Sequence, residues 1–236
     1  MAAPKLPPRR ITPSPEWLLL VAGGALLAFY YLTRADTIGV FTTARGWVPM
    51  TGRPLPAAWH FLFSGVVLGV LPVAIARVVF GLTPRELGLG AGAVRTGLRW
   101  LIVGLPLAIL AGWIGSRSPE VRAVYPLDPD LRLQALPLVL HAGVQFCYFA
   151  GWEVLFRGVL LFGLRGRIGN GPANLVQTAL SVVAHCGRAL TETASALPAG
   201  LIFGWVDLSV GSIWYIALLH WIEGASLDVF ILLRTA

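Results

Sequence analysis

Three short stretches in the C-terminal half carry side chains whose types and spacing could do chemistry. In Gly151-Trp-Glu-Val-Leu-Phe-Arg-Gly158, Glu153 and Arg157 stand four residues apart and so share a helix face. The acid can pair with the guanidinium and only pin the helix, or it can serve as a general base in a poorly solvated cavity. There, desolvation and the neighbouring cation pull its basicity in opposite directions. In Ser181-Val-Val-Ala-His-Cys-Gly-Arg-Ala-Leu-Thr-Glu192, His185 closes an apolar run and Glu192 follows seven residues later. Those two share a face only if a helix passes through Gly187, which glycine disfavours, and a lone histidine there is more simply structural. In the stretch from Gly211 to Asp228, residues His220, Gly224 and Asp228 recur every four residues with Glu223 beside them. An ionisable group at bilayer depth costs roughly 2.5–3.5 kcal/mol on the lenient insertion scale, so this helix must face protein or a water pocket.

Other chemistries fit less well. No H-E-x-x-H motif and no i, i+4 histidine pair is present, although two histidines with carboxylates could still hold a metal. Gly224-Ala-Ser226 lacks the glycine that follows a serine nucleophile at a turn. His141 and Gln145 fit a helix-packing hydrogen-bond pair. Cys147 and Cys186 fall in apolar stretches without knuckle or redox spacing, and read as small buried hydrophobes.

The elements that must position these groups follow from composition. Of 236 residues, 56% are hydrophobic and 12% charged, about half the charge of a soluble domain. Apolar runs long enough to cross a bilayer recur, and we expect an all-α, polytopic bundle of six to eight transmembrane helices in a cell membrane. Spans are expected at about 17–33, 58–80, 96–115, 134–164, 172–187, 194–209 and 211–232. The fourth is long for one crossing, so it tilts or runs on as an interfacial helix beyond Arg157. The net charge of +7 comes from arginines at the ends of apolar runs, among them Arg34, Arg45, Arg53, Arg85, Arg117, Arg132 and Arg165. That placement suits lipid headgroups and excludes a nucleic-acid patch. Lys5, Arg9 and Arg10 precede the first run, which lacks a clean cleavage site before Arg34 and reads as a retained helix with a cytoplasmic N-terminus. Residues 1–15 read as a flexible tail, 16–132 as N-terminal membrane helices, and 133–236 as the core that carries the motifs, all in one membrane domain. The proline-rich stretch Ser116 to Arg132 must lie outside the membrane.

With these segments in view, the chain resembles the CPBP family of intramembrane proteases, which includes CAAX prenyl endopeptidases. The resemblance covers roughly Leu133 to Leu233, with support from the Gly81 to Gly90 loop. The family's motifs are E-E-x-x-x-R, F-x-x-x-H and H-x-x-x-N. Glu153 and Arg157 match the second Glu and the Arg of the first, and His185 and His220 match the two histidines. Trp152 stands where the first Glu belongs, Ser181 replaces the Phe, and Gly224 replaces the Asn. A W-E-x-x-x-R branch with a later glutamate, here Glu192, matches more closely. The resemblance implies a glutamic-type endopeptidase acting on a membrane-associated peptide or protein. Glu153, or less readily Glu192, would activate water held with His185, His220 would polarise the scissile carbonyl, and Arg157 would fix Glu153. The scheme needs no metal or cofactor. The alternative is an inactive relative that binds a membrane partner. Monomer and dimer are both compatible with the sequence, as are prenylated and unprenylated substrates. No broken helices in repeated halves suggest a transporter.

Overall fold

Apolar side chains that would be a liability in water cover the outside of the helices: Val78 is 85% exposed and Ile102 is 74% exposed. Lipid is therefore the solvent, and each span must satisfy its own backbone hydrogen bonds as a helix. The computed structural model describes residues 14–32 and 54–235. The expected tail up to residue 13, with its basic residues, and Arg34, Arg45 and Arg53 lie outside the described residues.

Among the described residues there are helices and no strands. The order is α1 (Pro15–Leu32), α2 (Pro54–Ser64, continued by π-helical turns Gly65–Val70 and by Leu71–Val78), α3 (Val94–Gly115), the short α4 (Pro119–Arg122), α5 (Ala135–Glu153, continued by π-helical Val154–Phe162 and by Gly163–Ile168), α6 (Asn170–Ala184), α7 (Leu190–Val210) and α8 (Trp214–Thr235). Six of these are long and apolar enough to cross a membrane, and the chain is a multi-pass integral membrane protein. The expected span at 172–187 is corrected: α6 has 15 residues and ends at Ala184, too short and too polar on its buried face (Gln177, Thr178, Ser181) to cross hydrocarbon unaided.

α5 is the central post. Its 34 residues make about 50 Å of helix, more than one bilayer core requires. An interfacial course beyond Arg157 does not occur, because Val159, Leu160 and Leu161 are fully buried, packed with Leu18 of α1 and Leu68 of α2 in one apolar core. A second, smaller cluster joins α7 and α8 through Val206, Val210, Tyr215, Ile216 and Leu219, with Trp100 of α3 against it.

Hydrophobicity cannot sort helices inside lipid, so close backbone approach does it. A Cβ on Gly65 of α2 would lie 2.9 Å from the Cys147 carbonyl oxygen of α5, and one on Gly151 would lie 3.0 Å from the Gly65 Cα. α3 meets α8 in the same way: a Cβ on Gly112 would come within 2.8 Å of the Glu223 carbonyl oxygen. The Gly81–Gly90 loop staples the start of α8. Ile213 N–H donates to the Gly88 carbonyl (3.1 Å) and the Trp214 indole to that of Leu89 (2.9 Å). Cys186 is exposed and sits in the turn after α6, not inside a helix, which corrects its reading as a buried hydrophobe; Cys147 is half-buried.

Gly65→Ala should destabilise the protein by about 1–3 kcal/mol, since neither backbone can retreat without opening the α2–α5 contact. Gly143→Ala, on the same α5 but with nothing within 4 Å, should be neutral or slightly stabilising. Thermal unfolding of the two variants in detergent micelles tests the contrast.

Candidate functional site

Glu153 ends the regular part of α5, and Arg157 follows in the π-helical turns. Both are buried, at 0% and 2% exposure, so each charge needs a partner. Arg157 Nη1 donates to Glu153 Oε1 at 3.2 Å, and Nε stands 3.2 Å from Oε2 as an ion-pair contact without hydrogen-bond alignment. Oε1 also accepts from His220 Nδ1 of α8 at 2.7 Å. A carboxylate can only accept, so Nδ1 carries the proton, and Nε2 has no hydrogen-bond partner among the described residues. The other side of Arg157 faces Phe203 of α7, 5.7 Å from its guanidinium carbon to the ring centre. Asp207 of α7 is fully buried within electrostatic range of Glu153 and Arg157, and neither of its carboxylate oxygens has a hydrogen-bond partner among the described residues.

His185 caps the C-terminus of α6, outside the six spans. Helix α6 does not continue through Gly187, whose φ of +93° turns the chain, so Glu192 belongs to the first turn of α7. Tyr30 of α1 donates to the Ala184 carbonyl, and Thr193 Oγ1 to that of His185 (2.8 Å), which fixes this turn from both sides. His185 Nδ1 donates to the Ser181 carbonyl at 2.7 Å. Burial holds this imidazole below the usual histidine range, so near neutral pH its Nε2 is an unprotonated acceptor.

His185 and His220 line one cavity of about 640 Å³, together with Arg157, Arg188, Glu192 and Glu223. Glu153 is not among the lining residues; it sits behind His220. Glu192 is held at the wall, its Oε1 accepting from Arg188 Nη1 (2.9 Å) and from the Tyr125 hydroxyl (3.2 Å). Arg188 also donates to Tyr125 and, at 3.3 Å, to Tyr148. Burial raises the Tyr125 hydroxyl far above its ordinary range, so it stays a neutral donor. Among the described residues, no group of three or more His, Cys, Asp or Glu is placed to hold a metal ion.

His141 and Gln145 bond not to each other but to Asp228 Oδ2 on α8, at 3.1 and 2.8 Å. The stripe of His220, Gly224 and Asp228 therefore packs against α5. Two of the three motif departures, at positions 152 and 224, are filled by rings. The Trp152 indole is buried 5.0 Å from the His185 ring centre, and the Phe149 ring stands 4.7 Å from that of His220. A Cβ on residue 224 would lie 2.3 Å from Phe149 Cζ, so glycine there is what admits the ring. The sequence reading passed over Tyr125, Tyr148 and Phe149. The aromatic run Phe146 to Phe149 was a signal for two of them, while nothing local marks Tyr125.

Fold and site together define a polytopic helical membrane protein with a buried acid–imidazole pair behind an intramembrane cavity. Residues 134–225 match the family model described as Type II CAAX prenyl endopeptidase Rce1-like. That match supports, over this segment, the resemblance to the CPBP family of CAAX-type intramembrane proteases that the motifs carry. No curated protein and no solved structure matches the chain.

Arg157→Met leaves the Glu153 carboxylate without its guanidinium and should cost about 3–5 kcal/mol. Adding Glu153→Gln to that variant should recover part of the loss, because the stranded charge is gone. Unfolding free energies of the wild type, the two single variants and the double variant in micelles measure this coupling.

Proposed function

We propose that this protein is an intramembrane endopeptidase that hydrolyses a peptide bond in a membrane-associated protein or peptide. One observation carries the reading: the Glu153–His220 pair at 2.7 Å, its carboxylate neutralised by Arg157, presents an imidazole to a cavity whose wall also holds His185. The family match over residues 134–225 agrees with it.

In this reading His185 Nε2 accepts a hydrogen bond from the hydrolytic water and aims its lone pair at the scissile carbonyl. His220 faces the carbonyl oxygen and donates to it from Nε2 as charge develops there, a step in which both ring nitrogens bear a proton. Glu153 acts through His220. It sets the ring's tautomer and angle, a positioning role in place of the base role that the sequence suggests. Arg157 holds Glu153 and limits the charge it leaves uncompensated. Glu192 fixes the mouth of the cavity through Arg188 and Tyr125. The surrounding rings of Trp152, Phe149 and Phe203 keep bulk water out, so the fixed donors act in a medium of low polarity.

Cleavage by the purified, reconstituted protein tests the reading, with membrane-anchored tail peptides as substrates and mass spectrometry to find new termini. His185→Ala and His220→Ala should each slow cleavage by about 10²–10⁴-fold. Glu153→Gln should lower kcat with little change in KM. Equal cutting by both histidine variants and wild type ends the proposal.

A further inference from the structure

Hydrolysis needs an acceptor for the proton of the attacking water, and neither acid in the motif positions is free for it. Glu153 is off the cavity wall, and the charge of Glu192 is met by Arg188 and Tyr125. Glu223 differs from both. It follows His220 by one helical turn on α8, where residues three apart share a face, and its half-buried side chain lines the same cavity. No hydrogen-bond donor among the described residues meets its carboxylate, and it lies within electrostatic range of His220. Space is left around it because α3 crosses this part of α8 with small residues on the cavity wall, Ala108, Ala111 and Gly112. An acid at this depth without an ion-pair partner is costly, and its use of the pocket is the compensation to look for.

Building on the endopeptidase reading, we propose that Glu223 is the carboxylate that activates the hydrolytic water, supplying from α8 the acid that Trp152 displaces from α5. Charge bookkeeping favours this residue. Arg157 balances Glu153, which leaves Glu223 as the wall carboxylate one turn from His220 that no guanidinium holds. As the water oxygen bonds to the carbonyl carbon, Glu223 takes one water proton and the carbonyl electron pair moves onto oxygen beside His220. When the tetrahedral adduct collapses, the C–N bond breaks and the proton on Glu223 passes to the leaving nitrogen. The products are one new carboxyl and one new amine, and Glu223 returns as a carboxylate.

The test uses the full chain in proteoliposomes, the same tail peptides, and three variants. Glu223→Gln keeps size and removes basicity, and should lower kcat at least about 100-fold with KM within about twofold. Glu223→Asp should recover part of the rate. Glu223→Ala should be inactive until sodium formate is added, and its rate should then rise with formate concentration, a response that a packing residue would not give. Wild-type rates in Glu223→Gln overturn the role of Glu223 and leave the endopeptidase reading standing. So does an alanine variant that formate never rescues, together with a lowered melting temperature for the glutamine variant. A wild-type protein that cuts none of the peptides overturns the endopeptidase reading, and this role with it.

Discussion

A carboxylate buried where neither water nor lipid headgroup can reach it must be neutralised locally, and Glu153 is in that position. Arg157, one turn on along the same helix, does this as α5 forms, before any other helix need arrive. The remaining capacity of Oε1 is what recruits α8, through His220. A second clamp runs the opposite way: Asp228 of α8 accepts from His141 and Gln145 of α5. Late α5 thus meets early α8 and early α5 meets late α8, so the helices are antiparallel and tied at two depths. Each tie pairs an acid with an imidazole, and exchanging the partners would set like types against each other. In lipid, where apolar contact gives little register, two oppositely directed polar clamps specify sliding and rotation at once.

Two of the three departures from the family motifs, Trp152 and Gly224, make sense as one change. Trp152 and Phe149 stand three residues apart on α5, so both rings turn to the same side, one against His185 and the other against His220. A family asparagine at 224 would collide with Phe149, and a glutamate at 152 would bring a further charge beside Glu153. Ring and glycine replace acid and amide together, with the histidines kept. On the endopeptidase reading, the chemistry lost from α5 has to be found elsewhere on the wall, and α8 is the helix whose polar face already points there.

Much of this was legible in the sequence because it depends on local spacing. Apolar runs marked seven spans, six of which correspond to helices long and apolar enough to cross a membrane, the i, i+4 spacing placed Arg157 on Glu153, and the four-residue stripe on α8 predicted a face turned from lipid. Non-local facts were hidden. Residues 172–187 read as a span because Ala, Leu and Val dominate the run, yet Gln177 and Thr178 point inward, and Gln177 donates to the Gly200 carbonyl of α7 at 3.0 Å. The retreat of Glu153 behind His220 depends on how close α5 and α8 approach, where Gly224 of α8 admits Phe149 of α5, and no motif states a distance. His141 and Gln145 were read as partners because they share a face; the group they actually share is Asp228, 87 and 83 residues away in sequence.

The placement of Tyr125 explains how such a site can be wet without dissolving. The Ser116–Arg132 stretch is too rich in proline and charge to enter hydrocarbon, so any residue it contributes marks the aqueous side of the bundle. Its Tyr125 hydroxyl reaches Arg188 and Glu192 at the cavity wall, and Val121 and Leu127 from the same stretch line the cavity beside it. Polar groups therefore concentrate at the end where water can enter, while Val103, Leu107 and Ile202 line the cavity from helices whose outer surfaces meet lipid. On the endopeptidase reading, a peptide arriving from the membrane would meet this apolar wall, and water would come from the side of Tyr125. Arg157 and Glu153 cancel within the protein, so their two charges add no demand for bulk water at this part of the cavity wall.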